Sequence, residues 1–226
     1  MERCVVIFSG GRESVYSLLK AKSQGYEIWE LLFLEKPGFS VHKVNLPAIK
    51  AVAKMLGYEL KTISVGEEIE KDERLISYLR EQKRKGLNTL VTGNVKLEEL
   101  HEIYGSLCER AGLELVEPLK GLDTLELLME YFKIDLQFMI IGIRDEELDP
   151  KWLGEIVTRQ NFEEFLTDVL SRGIDPCGEY GEYHTLVTGL KEAKVSLRPV
   201  KIEKSDSDMN YILIDVLGNS SSFQSG

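Results

Sequence analysis

The stretch CVVIFSGGRES, Cys4–Ser14, decides how the N-terminal half of this chain folds. It begins with a short continuous apolar run, which is typical of a strand buried on both faces of a parallel sheet. Two glycines follow the run. A helix is predicted over Glu13–Gln24, and Gly25 is well placed to end it. The stretch therefore predicts a strand, a tight loop and a helix in that order.

The same alternation of strand and helix continues to about residue 119. Four more apolar runs predict the strands Ile28–Leu34, Leu60–Val65, Thr89–Thr92 and Leu113–Val116. Three periodic segments between them predict the helices Leu46–Leu56, Glu67–Lys85 and Lys96–Ala111. Five strands with helical crossovers predict an α/β fold with a doubly wound parallel sheet.

The rest of the chain predicts a second, smaller C-terminal α/β domain over residues 120–217. Its predicted elements are the helices Thr124–Phe132 and Phe162–Ser171, a strand over Phe138–Ile143, and extended segments near Leu186 and over Tyr211–Val216. The first domain is expected over residues 1–119. We expect the Ser/Gly-rich tail, residues 218–226, to be disordered.

The composition of the 226 residues narrows the classes of function. The net charge is -10 and no long basic run stands out, so general nucleic-acid binding is not expected. The longest apolar stretch is far short of a membrane span, and the N-terminus does not resemble a signal peptide. Three widely spaced cysteines form no CxxC pair, and the three histidines have no metal-ligand spacing. We expect a cytoplasmic protein with no protein-bound metal site.

The loop Ser9–Ser14 lies at the carboxyl end of the first predicted strand. Ligands bind beyond that end in open parallel sheets. Gly10 and Gly11 can adopt backbone angles that other residues avoid, so their N–H groups can face an anion. The first turn of the following helix adds unpaired N–H donors and a partial positive charge. The loop therefore predicts a phosphate site.

Side chains of the same loop can add to that site. Ser9 and Ser14 offer hydroxyl donors, and Arg12 offers a bidentate phosphate contact. The carboxylate of Glu13 is unfavourable beside phosphates unless it is displaced, bonded to backbone N–H groups or bridged by Mg²⁺. The alternative is an ordinary glycine turn in which Ser9 or Glu13 caps the helix.

The run SGGRES resembles the Ser-Gly-Gly-Lys-Asp-Ser signature of the ATP pyrophosphatase superfamily, the PP-loop enzymes. The resemblance implies an adenine nucleotide alpha-hydrolase-like fold, ATP and Mg²⁺ as cofactors, and cleavage of ATP to AMP and pyrophosphate. Arg12 replaces the lysine and keeps its charge. Glu13 replaces the aspartate and is one methylene longer, which bears on the catalytic geometry.

A second motif, DPCGEYGEYHT over Asp175–Thr185, packs three carboxylates, a histidine and two glycines into eleven residues. A polar turn leading into a strand is the alternative interpretation. The run closely resembles the hallmark of the diphthine–ammonia ligase family, a branch of the same superfamily. Cys177 lies inside it, but no sequence spacing supplies a base that would activate its thiol.

Three weaker matches to the family lie elsewhere in the chain. They are Val41–Asn45, Thr92–Val95, and the pair Cys108–Leu113 with Glu117–Leu119, after which Lys120 stands in place of the family's tryptophan. From them we expect His42 and Gly93 to contact the nucleotide. The resemblance covers about residues 3 to 190.

The resemblance implies that the protein converts the diphthine carboxylate on translation elongation factor two into diphthamide. ATP would activate the carboxylate as an acyl-adenylate, and ammonium would supply the nitrogen. Glu179 and Glu182 would hold ammonium and accept its proton, and His184 would orient the reacting groups. A homo-oligomer is possible. The alternatives are another adenylating enzyme, such as a tRNA thiolase, and an ATP-binding regulator without turnover.

Overall fold

The first strand, β1 (Arg3–Ile7), lies in the middle of a five-stranded parallel sheet. The computed structural model of the protein describes residues 2–206 and 208–217, so the predicted tail lies outside the described residues. The other strands of this sheet are β2 (Glu27–Glu35), β3 (Leu60–Ser64), β4 (Leu87–Val91) and β5 (Glu114–Val116). Their order is β3-β2-β1-β4-β5. The strands β2 and β3 therefore lie on one side of β1, and β4 and β5 lie on the other. The predicted doubly wound parallel sheet is confirmed.

Helices cover both faces of this sheet. They are α1 (Arg12–Ser23), α2 (Val41–Val44), α3 (Leu46–Met55), α4 (Glu73–Arg84) and α5 (Glu98–Ala111). The predicted start of α4 at Glu67 is wrong, because a 3-10 turn over Ile69–Lys71 precedes the helix. Asp72 caps it, since its side chain accepts hydrogen bonds from the N–H groups of Arg74 and Leu75.

The C-terminal part is built on an antiparallel sheet. Its strands are β6 (Leu136–Arg144), β7 (Ile156–Val157), β8 (Tyr183–Leu190), β9 (Ala193–Lys194), β10 (Leu197–Lys204) and β11 (Met209–Val216). The order is β10-β11-β6-β8-β9, and β7 pairs with β6. The helices are α6 (Thr124–Lys133) and α7 (Phe162–Ser171). The strand β10 was not predicted because half of its eight residues are charged, most are exposed, and Pro199 lies within it.

One continuous hydrophobic core joins the two sheets. It contains Val6 and Ile49 from the N-terminal half and Phe138 and Leu186 from the C-terminal half. Asn45 also connects them: its amide nitrogen donates to the Ile212 carbonyl at 2.8 Å, and its amide oxygen accepts from the Ile214 N–H at 3.0 Å. The division near residue 119 stays a prediction. Over the described residues, no helix combines the length and the apolar character needed to cross a bilayer.

Candidate active site between the two sheets

The loop between β1 and α1 contacts β8 through Gly10, which does not line the cavity described below. Gly10 has a φ of +76°, and a Cβ atom there would lie 2.8 Å from Leu186 Cδ1. The Gly10 carbonyl accepts a hydrogen bond from the Val187 N–H at 2.8 Å. The second sheet therefore fixes the shape of the loop, and a glycine is required at this position.

The front of the loop is held by its two serines. The Gly11 N–H donates to Ser9 Oγ at 3.3 Å, the Ser9 hydroxyl donates to Ser14 Oγ at 3.3 Å, and the Ser14 hydroxyl donates to the Gly11 carbonyl at 2.9 Å. Gly93, after β4, lies against the same loop. A Cβ atom on it would come within 2.9 Å of the Glu13 carbonyl carbon and 3.0 Å of Ser14 N.

A cavity of about 300 Å³ opens in front of this loop. Nine of the eleven residues predicted for the site line it: Ser9, Gly11, Arg12, Glu13, Ser14, His42, Gly93, Glu179 and His184. Gly10 and Glu182 are absent from its lining. The two sequence motifs, 160 residues apart in the chain, thus meet at one cavity at the carboxyl ends of the parallel strands.

Glu179 is the carboxylate that the second motif presents to the cavity. Burial, followed by the negative charges of Glu13 and Asp175, raises the pKa of Glu179 from 4.5 to about 7. A backbone hydrogen bond from Lys96 and the charge of Arg12 oppose that rise. A carboxylate with such a pKa can take up and release a proton near neutral pH, as a general base must.

Glu182 has a different position from the one predicted. Its side chain is buried, and Oε2 accepts a hydrogen bond from the Tyr180 N–H at 2.9 Å, while Oε1 is 3.4 Å from the Asp175 N–H. The predicted pair of glutamates in one pocket is therefore wrong. Glu182 folds the loop over Asp175–Glu182 back on itself, because its two oxygens bind backbone donors at both ends of the loop.

Arg12 also differs from its predicted position. The side chain is only 1% exposed. Nη1 donates to the Tyr183 hydroxyl at 3.0 Å and Nη2 donates to the Cys177 carbonyl at 2.8 Å. The prediction of a bidentate phosphate contact is therefore wrong, since these donors are used by the second motif. The sequence could not show this, because the partners come from β8 and the loop before it.

His42 and His184 form a pair at the edge of the cavity. Their rings meet edge to face with centroids 5.4 Å apart, and His42 Nε2 lies 3.3 Å from the Thr185 carbonyl. Burial is the first cause that lowers the pKa of His184 to about 3, followed by His42 and Arg144. Burial also lowers the pKa of His42. Both imidazoles are therefore neutral at physiological pH and can orient groups without carrying charge.

Asp175 anchors the second motif to the first half of the chain. Its carboxylate accepts hydrogen bonds from Lys96 Nζ at 2.8 Å, the Thr124 hydroxyl at 2.9 Å and the Cys177 N–H at 2.9 Å. Burial opposes the charge of Asp175, yet these bonds hold its pKa below the ordinary value. Burial raises the pKa of Cys177 well above that of a free thiol, so Cys177 is not an activated nucleophile.

Both halves of the chain match models of one family. Residues 2–115 match the diphthamide synthase N-terminal domain, and residues 123–213 match the diphthamide synthase C-terminal domain. The chain belongs to the diphthamide synthase family. The resemblance to diphthine–ammonia ligases and to the PP-loop superfamily is thereby confirmed, and the family supports a ligase-like function of that type. ATP use is what the family implies.

Other comparisons add little to the diphthamide synthase match. No curated protein matches the sequence. One solved structure that matches is described as a predicted subunit of tRNA methyltransferase from Methanocaldococcus jannaschii. It is 20% identical, the match covers 85% of this chain and 99% of that one, and the TM-score is 0.44. That score is too low to bear on function.

Some residues that line the cavity of this member of the diphthamide synthase family were not predicted. Leu97, Leu100 and Tyr104 form an apolar wall of the cavity. Their spacing of three and four residues was visible in the predicted helix, but an apolar face of that kind usually packs into a core. Thr92 and Asn94 also line the cavity, and both donate to Glu117 Oε1, at 3.1 Å and 3.0 Å.

Proposed function

We propose that this protein is an ATP-dependent amide-forming ligase that converts a protein-bound diphthine carboxylate into its amide with ammonium. The supporting observation is the cavity itself, which is lined by the glycine loop Ser9–Ser14 and by Glu179 from the second motif. The loop suits phosphates and the glutamate suits a cationic nucleophile. An amide ligase needs both beside the same acyl group.

The loop fits substrate ATP by the groups that it turns to the cavity. The first turn of α1 begins at Arg12 and leaves backbone N–H groups without helical partners, and the helix dipole favours negative charge there. Ser9 and Ser14 line the same edge, and their hydroxyl hydrogens, which now close the loop, would turn outward to reach a phosphate. We assign the phosphates to this edge.

Mg²⁺ would neutralise the phosphates of bound ATP. The observation that fits it is Glu13 Oε1, which is buried and makes no hydrogen bond, although it forms an ion pair with Arg12 Nε at 3.4 Å. Mg²⁺ usually takes one or two carboxylates in addition to phosphate and water oxygens. Glu13 is the carboxylate that the loop offers for this purpose.

Two bond exchanges complete the proposed reaction. A substrate carboxylate oxygen attacks the α-phosphorus of ATP, and the bond between the α-phosphorus and its bridging oxygen breaks to release pyrophosphate. The acyl-adenylate that results contains a good leaving group. Nitrogen then attacks the acyl carbon, and the C–O bond breaks to release AMP.

Glu179 serves the nitrogen step of this scheme. As a carboxylate it attracts ammonium, and with a pKa of about 7 it accepts the proton that ammonium must lose before attack. His42 and His184 are neutral and orient the reacting groups without competing for the cation. We propose translation elongation factor two as the protein substrate and the cytoplasm as the site of the reaction.

The test is incubation of the protein with diphthine-bearing elongation factor, ATP, Mg²⁺ and ammonium. We expect intact-mass analysis to show conversion of a carboxylate to an amide, with AMP and pyrophosphate formed in equal amounts. ADP as the main product would contradict cleavage between the α and β phosphates. ATP binding without any product would favour a regulator.

A further inference from the structure

Arg12 is a buried cation whose contacts run from the ATP loop to the second motif. Its Nη1 and Nη2 atoms bind the Tyr183 hydroxyl and the Cys177 carbonyl, and Nε lies 3.4 Å from Glu13 Oε1. The guanidinium carbon lies 4.6 Å from the ring centroid of Phe138 and 4.9 Å from that of Tyr183. The side chain thus joins α1 to the loop that carries Glu179.

These contacts fix the backbone just before Glu179. The Tyr183 hydroxyl, which accepts from Arg12, donates in turn to the Pro176 carbonyl at 2.6 Å. Arg12 therefore holds two consecutive carbonyl groups, that of Cys177 directly and that of Pro176 through Tyr183. Gly178 follows with a φ of +65°, and a Cβ atom there would lie 2.9 Å from Tyr183 Cε1. The next residue is Glu179.

Stability alone does not account for a charge at this position. A buried ion is costly to desolvate, and apolar side chains of similar volume usually stabilise a core at least as well. The surroundings of Arg12 are mostly aromatic, so they would accept such a side chain. What an apolar residue lacks is the pair of directed donors that hold the two carbonyls.

We propose that Arg12 is a positioning residue, which orients the loop 176–179 so that Glu179 faces the loop that binds ATP. This inference rests on the proposed function, because it concerns the nitrogen step. In this proposal one side chain, that of Arg12, couples the ATP loop to the loop that carries Glu179. The proposal also explains why the ATP loop contains an arginine whose Nη donors bind the second motif instead of the proposed phosphate site.

The test uses three variants of the full-length protein. Arg12→Lys keeps the charge but lacks the planar fork that donates to the Tyr183 hydroxyl and the Cys177 carbonyl together. Arg12→Ala opens a space that added guanidinium can occupy. Tyr183→Phe removes the link to Pro176 and keeps the ring in the core. Arg110→Ala is the matched control, because Arg110 donates to the Glu70 carbonyl at 2.8 Å and neither residue lines the cavity.

The measurement is kcat and KM for ammonium and for ATP, beside a melting curve. We expect kcat/KM for ammonium to fall by about 100-fold in Arg12→Ala, which is typical when a reacting group is misplaced by ~1 Å. Arg12→Lys and Tyr183→Phe should fall less, and KM for ATP should change much less in all three. Guanidinium at millimolar concentration should restore much of the Arg12→Ala rate, and should leave Arg110→Ala unaffected.

Two results would overturn the inference. A folded Arg12→Ala or Tyr183→Phe variant with the parental kcat/KM for ammonium would show that the contact only packs the core. An equal loss for ATP and ammonium would assign Arg12 to the phosphates. If the parent itself forms no amide, the proposed function fails, and the inference fails with it. If the parent is active and the variants keep its rate, only the inference fails.

Discussion

The two loops that meet at the cavity are held by different means. The loop Ser9–Ser14 is held by its own serines and by close backbone packing, because Gly10 has a positive φ and Gly93 approaches the loop more closely than a Cβ atom would allow. The loop Asp175–Glu182 is fixed by side chains, those of Arg12, Asp175 and Glu182. The first is therefore closed within one stretch of sequence, whereas the second depends on Arg12, a residue from the other half of the chain.

The second loop contains a sharper contrast. Glu179 and Glu182 are three residues apart in nearly repeated sequence, yet one faces the cavity and the other binds backbone N–H groups. Gly178 and Gly181 both have positive φ, so the chain turns just before each of the two glutamates. Glu182, whose carboxylate is satisfied by backbone donors, stabilises the loop, whereas Glu179, which is buried near Glu13 and Asp175, is suited to accept a proton.

The largest expected effect is that of Glu179→Gln on amide formation. Loss of a general base typically lowers a rate by about two to four orders of magnitude. ATP affinity should stay near the parental value, since Glu179 lies on the opposite loop. The measurement is the amidation rate beside ATP binding by calorimetry on one preparation. A folded variant that amidates at the parental rate would remove Glu179 from the chemistry.

Gly93→Ala is expected to weaken ATP binding. The new Cβ atom would lie about 3 Å from Glu13 and Ser14 backbone atoms, so the ATP loop must shift. Overpacking of this kind typically costs ~1–3 kcal/mol, and if that cost falls on the loop shape that binds ATP, the dissociation constant rises by about 5- to 150-fold.

Gly105→Ala is the control for that substitution. Gly105 lies inside α5 with open space where a Cβ atom would go, so alanine there should stabilise the helix by about 0.5–1 kcal/mol. ATP titrations of both variants check the prediction. Equal affinities would show that the close approach of Gly93 does not shape the phosphate site.

Glu182→Gln should act on stability more than on rate. Its amide NH₂ group would face a backbone N–H that now donates to a carboxylate, and an unsatisfied buried donor costs about 1–3 kcal/mol. The rate per folded molecule should stay close to the parental one. Chemical unfolding and amidation of the same sample separate the two effects. A rate loss as large as that of Glu179→Gln, without destabilisation, would contradict the distinction between the glutamates.

The pH dependence of the melting temperature should also reveal the raised pKa of Glu179. The folded pKa of Glu179 is raised to about 7, so folding favours its protonated form. Its contribution to stability is present below the unfolded pKa of about 4.5 and is lost as pH rises to 7. Glu179→Gln should therefore raise the melting temperature at pH 8 and leave it unchanged at pH 4. A lower melting temperature at pH 8 would refute the raised pKa.

Much of the fold follows from local sequence. Apolar runs bounded by glycines predicted all five strands of the parallel sheet, and the position of SGGRES after the first run predicted the loop at the cavity. The start of α4 was missed although Asp72 carries a capping signal, because the acidic residues from Glu67 onward also suit a helix start. The strand β10 was missed because it is an exposed edge strand that contains a proline and four charged residues.

The site was less predictable than the fold. The two motifs identified most of its residues, but the direction of each side chain depends on contacts between distant segments. Arg12 lies against Phe138 and Tyr183, and no spacing within SGGRES encodes that burial. Which of Glu179 and Glu182 faces the cavity depends on two turns whose angles local sequence leaves open, since glycine adopts many.

The most direct test of the account is the amidation rate of the parent, Glu179→Gln and Glu182→Gln as a function of pH. Ammonium itself loses a proton as pH rises, so each variant is compared with the parent at the same pH. We predict that the ratio of the parental rate to the Glu179→Gln rate rises through about pH 7 and then levels off. The ratio for Glu182→Gln should stay flat. A flat ratio for Glu179→Gln, or a rising one for Glu182→Gln, would contradict the assignment of the base.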